Sequence, residues 1–424
     1  MSRVVLVAAL GVLIVSLDGA VNIAFPSISA AFAIPATSIQ WVVLTYIVSF
    51  SVALIPAGWL ADRVGHARVI RGGLAAAGMA NLLCGLAPAW AWLLGGRVVQ
   101  GLGVALVMAS APALVTLSTE PGHRGQALGR LGLAASLGMV VGPLAGGVLV
   151  GVLGWRVVYL GRLPLVVLAL ALSRELPAVG GSLRWARPAA GVAPGAPSPA
   201  AELRAGFRRD LRDRRIFVLA NAAHLLANAA HFAVWLLVPY YLIDRRGFPA
   251  GLGGLLFTTG PLAWACVTPL GGRLMDRSGG RWLAPLGLAV LGAGLWLTGR
   301  LDDAASALRI VSALGIGGLG YGLFVIANLH YVMGALPPAR QGLAGSLVAL
   351  MRTAGIVVGA NVATAIYAAR LSANAGLGPD AAAAAAFADV FTVAAAIAAG
   401  AALLSLVPPA SPDSARPAAR LGAP

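Results

Sequence analysis

Long apolar runs separated by short charged turns make up almost the whole chain. The runs fall near residues 4–25, 39–60, 69–86, 90–117, 128–150 and 157–172, then 216–242, 252–271, 282–298, 307–332, 343–369 and 387–407. Most approach the ~17–25 apolar residues that cross a bilayer as a helix. The pattern therefore predicts an all-α integral membrane protein of about twelve transmembrane helices in two six-helix bundles, residues 1–172 and 216–407. Residues 173–215 form a polar connection rich in Arg, Pro and Ala. Its early part reads as a flexible linker, and its last part, 207–215, as a basic helix on the membrane surface. Residues 408–424 are rich in Pro, Ala and Arg and read as a disordered tail.

Composition sharpens this picture. The chain has 424 residues, 59% of them hydrophobic, and a mean hydropathy of +0.88, which excludes a soluble multi-domain protein. All 30 basic residues are arginine, against 14 acids, for a net charge of +16. In a soluble protein that excess would point to nucleic acid. Here the arginines gather in alternate turns, at Arg63, Arg68 and Arg71, at Arg124 and Arg130, between Arg184 and Arg215, and at Arg273, Arg277 and Arg281. These turns share one side of the membrane, so the positive-inside bias predicts a multi-pass plasma-membrane protein with both termini cytoplasmic. The expected partner of the basic face is the lipid bilayer, not nucleic acid. The first run continues to about Ile23 and carries Asp18, so it reads as a retained helix and not a cleaved signal. Cys84 and Cys266 both lie in apolar runs, and no disulfide, metal or cofactor is indicated.

Two turns repeat one pattern. Gly58-Trp59-Leu60-Ala61-Asp62-Arg63-Val64-Gly65 follows the second run, and Gly272-Arg273-Leu274-Met275-Asp276-Arg277-Ser278-Gly279 follows the eighth. Their glycines permit close approach and positive φ, and their charges mark the water interface. Both resemble the G-x-L-x-D-R-x-G-R-R loop found in each half of major facilitator superfamily transporters. The first copy has His66 and Ala67, and the second Gly280, where arginines are usual.

The first span ends Leu17-Asp18-Gly19-Ala20-Val21-Asn22-Ile23-Ala24-Phe25-Pro26. This is similar to the L-D-x-T-x-V-N-V-A-L-P signature of the drug:proton antiporter branch. The fourth span carries Arg97-Val98-Val99-Gln100-Gly101-Leu102-Gly103, similar to that family's R-x-x-Q-G-x-G element. The fifth carries Gly138, Gly142, Pro143, Gly146 and Gly147, resembling the G-x-x-x-G-P-x-x-G-G antiporter motif. Trp155-Arg156 and Gly161-Arg162-Leu163-Pro164 stand where relatives carry W-R and I-N-x-P. The resemblance implies two pseudo-symmetric bundles around a central cavity, and export of small drug-like or amphipathic molecules against protons.

The residues carry their own argument. Asp18 is the only acid deep within an apolar run, a placement costly enough to mark function or a buried polar pair. The first span runs outward and the fourth inward. Asp18 and Arg97 each lie about seven residues from the outer end, which at ~1.5 Å per residue puts both ~10 Å deep. They can pair, either as a fixed lock or as a switch for a proton. Gln100 lies a turn deeper on the same face. Gly138, Gly142 and Gly146 make a smooth packing face, and Pro143 removes a backbone hydrogen bond and should bend the helix.

In the seventh span Asn221, His224, Asn228 and His231 form a polar stripe that must face the cavity or another helix. Asn22, Arg352 and Asn361 complete the expected cavity set. There is no G-x-x-x-x-G-K-[ST] and no lysine at all, which excludes drive by ATP at a P-loop. H-E-x-x-H and G-x-S-x-G are also missing, which argues against an enzyme. A monomeric secondary transporter is expected, with an uptake permease or a transporter-like sensor as alternatives.

Overall fold

The computed structural model describes residues 3–120, 123–176, 211–278, 282–334 and 341–406. Residues 177–210 of the expected linker and residues 407–424, which include the expected tail, lie outside the described residues. Every long element is a helix. Spans two to six are α4 Gln40–Val64, α5 His66–Gly85, α6 Trp90–Leu117, α7 Arg124–Leu153, and the pair α8 Val157–Leu160 and α9 Leu163–Ser173. The first span is itself three pieces, α1 Arg3–Ser16, α2 Gly19–Ile23 and α3 Phe25–Phe32. The second half comprises α10 Leu211–Tyr240, α11 Ala250–Ser278, α12 Leu283–Gly299, α13 Ala307–Gly334, α14 Gln341–Ala373 and α15 Pro379–Ser405.

Nine helices among the described residues are long and apolar enough to cross a membrane, and two shorter apolar helices accompany them. The twelfth, α5, is diluted by Arg68, Arg71, Asn81 and its glycines because most of one face is buried in protein. Helix α10 starts at Leu211, earlier than the hydropathy limit of 216, so residues 211–215 of the expected surface helix continue the seventh span instead.

Alternation of twelve spans brings Arg3 and Leu406 to one face, called the terminal face below. The turn at Gly65, on this face, joins α4 to α5 through a single residue at φ 101°. A side chain there would be strained, which accounts for glycine.

The apolar core reports how the halves meet. One cluster runs through both halves and draws on first-half residues far from the terminal face, including Phe25, Ile39, Leu93 and Tyr159, with Leu237, Phe257 and Phe391 of the second half. Near the terminal face the cores are separate. Val5, Ile70, Leu114 and Val166 belong to the first half alone, and Phe217 and Val332 to the second. Polar links follow the same division. Ser29 bonds Tyr240, Thr364 donates to Gln40 at 3.0 Å, and Ser51 donates to Thr353 at 3.2 Å near mid-membrane. Closer to the terminal face the halves part around a space of about 440 Å³, lined by Ser136 and Met139 of α7 and by Trp264 and Thr268 of α11. The described residues thus form a bundle whose halves part near the termini and are bridged by polar bonds at the opposite end, beside a second space of about 770 Å³ lined by Ser29, Ile34, Tyr240 and Asp380.

Candidate functional site

Asp18 occupies the break between α1 and α2. Its N–H reaches back three residues to Val15, and Ala20 and Val21 repeat that short pattern onto Leu17 and Asp18. The tightened turn interrupts the regular ladder, and Asp18 sits at the start of α2. Helix α7 packs against this break. A Cβ on Gly138 would lie 2.5 Å from that of Ser16, and one on Gly142 3.2 Å from the Leu17 carbonyl and the Ala20 nitrogen. The Pro143 ring lies 3.5 Å from where a Cβ on Gly19 would stand. Small residues on both sides let the two backbones touch. Helix α7 itself runs unbroken through Pro143.

Two arginines converge on the Asp18 carboxylate. Arg97 of α6, 1% exposed, donates from Nη1 to Oδ1 at 2.8 Å and from Nη2 to Oδ2 at 2.9 Å. This is the planar two-point pairing that guanidinium and carboxylate favour. Its Nε donates to the Val42 carbonyl at 2.7 Å, and its plane lies 4.4 Å from the Tyr46 ring. Gln100 accepts from Arg97 at 2.8 Å and donates to Asp18 Oδ1 at 3.1 Å. Arg162, in the turn before α9, donates to the same Oδ1 at 2.9 Å and to the Leu17 carbonyl at 3.1 Å.

The carboxylate oxygens are therefore unequal. Oδ1 accepts three hydrogen bonds and Oδ2 one. The group of Asp18, Arg97 and Arg162 carries one net positive charge. Arg162 is the residue sequence reasoning left without a role. The signal was present, because an arginine buried in an apolar span needs an acid or water, and Asp18 was the only acid at hand.

Across the cavity the α10 stripe divides. Asn221 donates to its own helix at Phe217. Asn228 donates to the His224 carbonyl and accepts from Tyr321 of α13 at 2.7 Å, an interhelical bond. His231 stacks on Tyr321 with centroids 4.2 Å apart. His224 is 3% exposed, and neither ring nitrogen has a hydrogen-bond partner among the described residues.

On α14 a Cβ at Gly355 would strike Leu225 and Asn228 of α10, while Thr353 bonds Ser51 of α4. At ~100° per residue Arg352 lies between those two directions and so faces the gap between the halves. It is exposed, and its charge acts on Tyr46, His224 and Tyr321. Asn22 makes only a 3.5 Å bond to Gly19, and exposed Asn361 bonds its own helix at Val357, so neither joins the cluster.

The remaining sequence-predicted positions are dispersed. Gly146 packs on Ala20, whereas Gly147 faces the other half, where an added Cβ would be 2.5 Å from the Ala250 carbonyl and 2.9 Å from Gly254. Gly58 and Gly272 have open space around them. Asp62 is exposed and lies 3.6 Å from His66, and Arg63 is exposed beside it. The backbones of Asp276 and Arg277 belong to α11, but their side chains lie outside the described residues. No three His, Cys, Asp or Glu side chains converge as metal ligands among the described residues.

Comparison with known proteins agrees with this architecture. The family model described as Major Facilitator Superfamily matches residues 7–360. The riboflavin transporter RibZ of Clostridioides difficile is 25% identical, over 88% of this chain and 89% of its own length. The multidrug resistance protein Stp of Mycobacterium tuberculosis is 30% identical, over 86% of this chain and 75% of its own. A solved bacterial homolog of the human lysosomal transporter Spinster, in an inward-facing and unoccupied conformation, superposes with a TM-score of 0.78 at 17% identity, covering 95% of both chains. A family match across most of the chain, on an all-helical bundle of this form, places the protein in the major facilitator superfamily as a multi-pass membrane transporter and not an enzyme.

Proposed function

We propose that this transporter exports small amphipathic or drug-like molecules in exchange for protons, and that Asp18 carries the proton. The observation that carries the reading is the inequality of the Asp18 oxygens: Oδ1 is filled by Arg97, Gln100 and Arg162, while Oδ2 holds a single bond from Arg97. A proton arriving at Oδ2 neutralises the carboxylate and releases Arg97 Nη2. The carboxylate lies at the α1–α2 break and against α7, so its discharge acts where the first half meets the seam to the second. Substrate and proton then favour different states of one carrier, as antiport requires. The arginine-rich terminal face is assigned to the cytoplasm and the membrane to the plasma membrane. The chain acts as a monomer. The 30% identity to Stp supports export of toxic compounds as the class of work.

The test is a proton-flux assay in vesicles, run across a panel of toxic compounds and biosynthetic products. Wild type is expected to acidify the compartment to which substrate is added, because protons leave the vesicle as substrate enters. Asp18→Asn should abolish accumulation driven by ΔpH while retaining exchange down a gradient. Concentrative transport by Asp18→Asn under ΔpH moves the proton site elsewhere, His224 and His231 being next. A second reading, uptake of a metabolite, is favoured by the similarity to RibZ. Net influx coupled to proton entry would establish it instead.

A further inference from the structure

We infer that Arg162 is a specificity-determining residue that closes the central site to cationic substrates. The inference rests on the antiport reading only for the direction of transport. It concerns which molecules the site accepts.

A lone carboxylate facing a membrane cavity attracts cations, because little solvent screens it there. Arg97 alone would balance Asp18 and leave a neutral pair. Arg162 adds a second guanidinium to the same oxygen, at 2.9 Å, and is 4% exposed. The cluster becomes net positive. Its Nε has no partner among the described residues, so no further anion offsets it.

The facing wall does not restore the balance. Arg352 contributes another positive charge directed into the gap, without a hydrogen bond or ion pair among the described residues. His224 offers a neutral or cationic ring but no negative charge. The other groups toward the cavity, Tyr46, Asn228 and Tyr321, are uncharged polar or aromatic. Among the described residues the positive field therefore has Asp18 as its sole acid, and that acid is already shared by two arginines.

An ammonium group approaching Asp18 finds Oδ1 filled and one open position on Oδ2, within a repulsive field. Molecules that fit are neutral or acidic, with hydrogen-bond acceptors for Arg352 and an apolar body for Trp264, which lines the open space between the halves. Such a substrate competes with the proton by occupying space and not by charge.

Equilibrium binding to the purified full-length protein in nanodiscs tests this without reference to transport or coupling. Three probes share one ring system: 1-naphthamide, 1-naphthoate and 1-naphthylmethylammonium. Wild type should bind the amide and the acid at least about tenfold more tightly than the ammonium, the size of one poorly screened charge. Arg162→Asn should raise ammonium affinity about tenfold relative to the amide, and Arg162→Lys should keep the wild-type order. Thermal melting of each variant confirms that it is folded, and the Lys form keeps the test open should the Asn form fail to fold. Ammonium binding by wild type equal to that of the amide overturns the inference. So does an unchanged order in Arg162→Asn, or binding of none of the three. If Arg352→Gln and not Arg162→Asn relaxes the order, the selectivity belongs to Arg352 and the assignment to Arg162 is wrong. A failure of proton exchange in vesicles with the probe order intact would count only against the antiport reading.

Discussion

Removing one member of the Asp18 cluster should cost more than its hydrogen bonds, because the charges left behind lose their partner in a site that water barely enters. Asp18→Asn strands two buried guanidiniums against an amide. Breaking a buried pair from one side typically costs about 3–5 kcal/mol, so a lowered melting temperature is expected in detergent. Adding Arg162→Gln removes one stranded charge and should recover part of the loss. If the double variant melts no higher than Asp18→Asn alone, the arginines are not competing for the carboxylate as drawn. Much of this cluster was legible in the sequence. Asp18 and Arg97 were placed at one depth by counting residues from the span ends, and Gln100 followed from helical spacing. Arg162 was not, because it lies in a turn between two short helices where no periodicity fixes its direction. Asn361 differs: its amide N–H bonds its own helix at Val357, an option that sequence cannot distinguish from a cavity contact.

Among the elements, α7 has two faces with separate jobs. Gly138, Gly142 and Gly146 admit the broken first span, while Gly147 admits α11 of the other half. Gly142→Val should force Leu17 and Ala20 away from α7, with an overpacking cost of about 1–3 kcal/mol. Pro143→Ala removes the ring that fills the space at Gly19. Both variants should insert normally and transport poorly, and full export by both at matched expression would remove α7 from the mechanism. Gly147→Val acts differently, since it obstructs the seam between halves and should disfavour the closed arrangement opposite the termini. The glycine spacing was readable as a packing face. Which glycine met which half was not, since that depends on the tertiary position of α11. The break in the first span also escaped hydropathy, which averages over the two residues where it occurs.

For the whole molecule, the open space near the terminal face and the joined core at the other describe one end of an alternating cycle. Asp62, exposed here, is expected to dock at the start of α14 when the terminal face closes, where a carboxylate gains roughly 0.3–1 kcal/mol from the helix N-terminus. Asp62→Asn should therefore shift the population further toward this open form. Labelling of a cysteine at Met139 or Thr268, both lining the open space, should rise from the terminal side. No change in labelling would dissociate Asp62 from gating. The twelve-span outline and its division into halves were evident from apolar run lengths, but the conformation was not, because both ends of the cycle bury similar residues.

The single open lone pair on Asp18 also sets a ceiling. A carboxylate takes up one proton, and no second acid stands beside it among the described residues, so the proposed antiport would exchange one proton for one molecule in each turn of the cycle. For an uncharged substrate the steady-state concentration ratio then rises about tenfold for each unit of ΔpH, since one pH unit is worth 1.36 kcal/mol per proton. The membrane potential contributes through one moving charge, about 2.3 kcal/mol per 100 mV. A logarithmic plot of accumulation against ΔpH should have a slope of one, and a slope of two would require a second proton carrier.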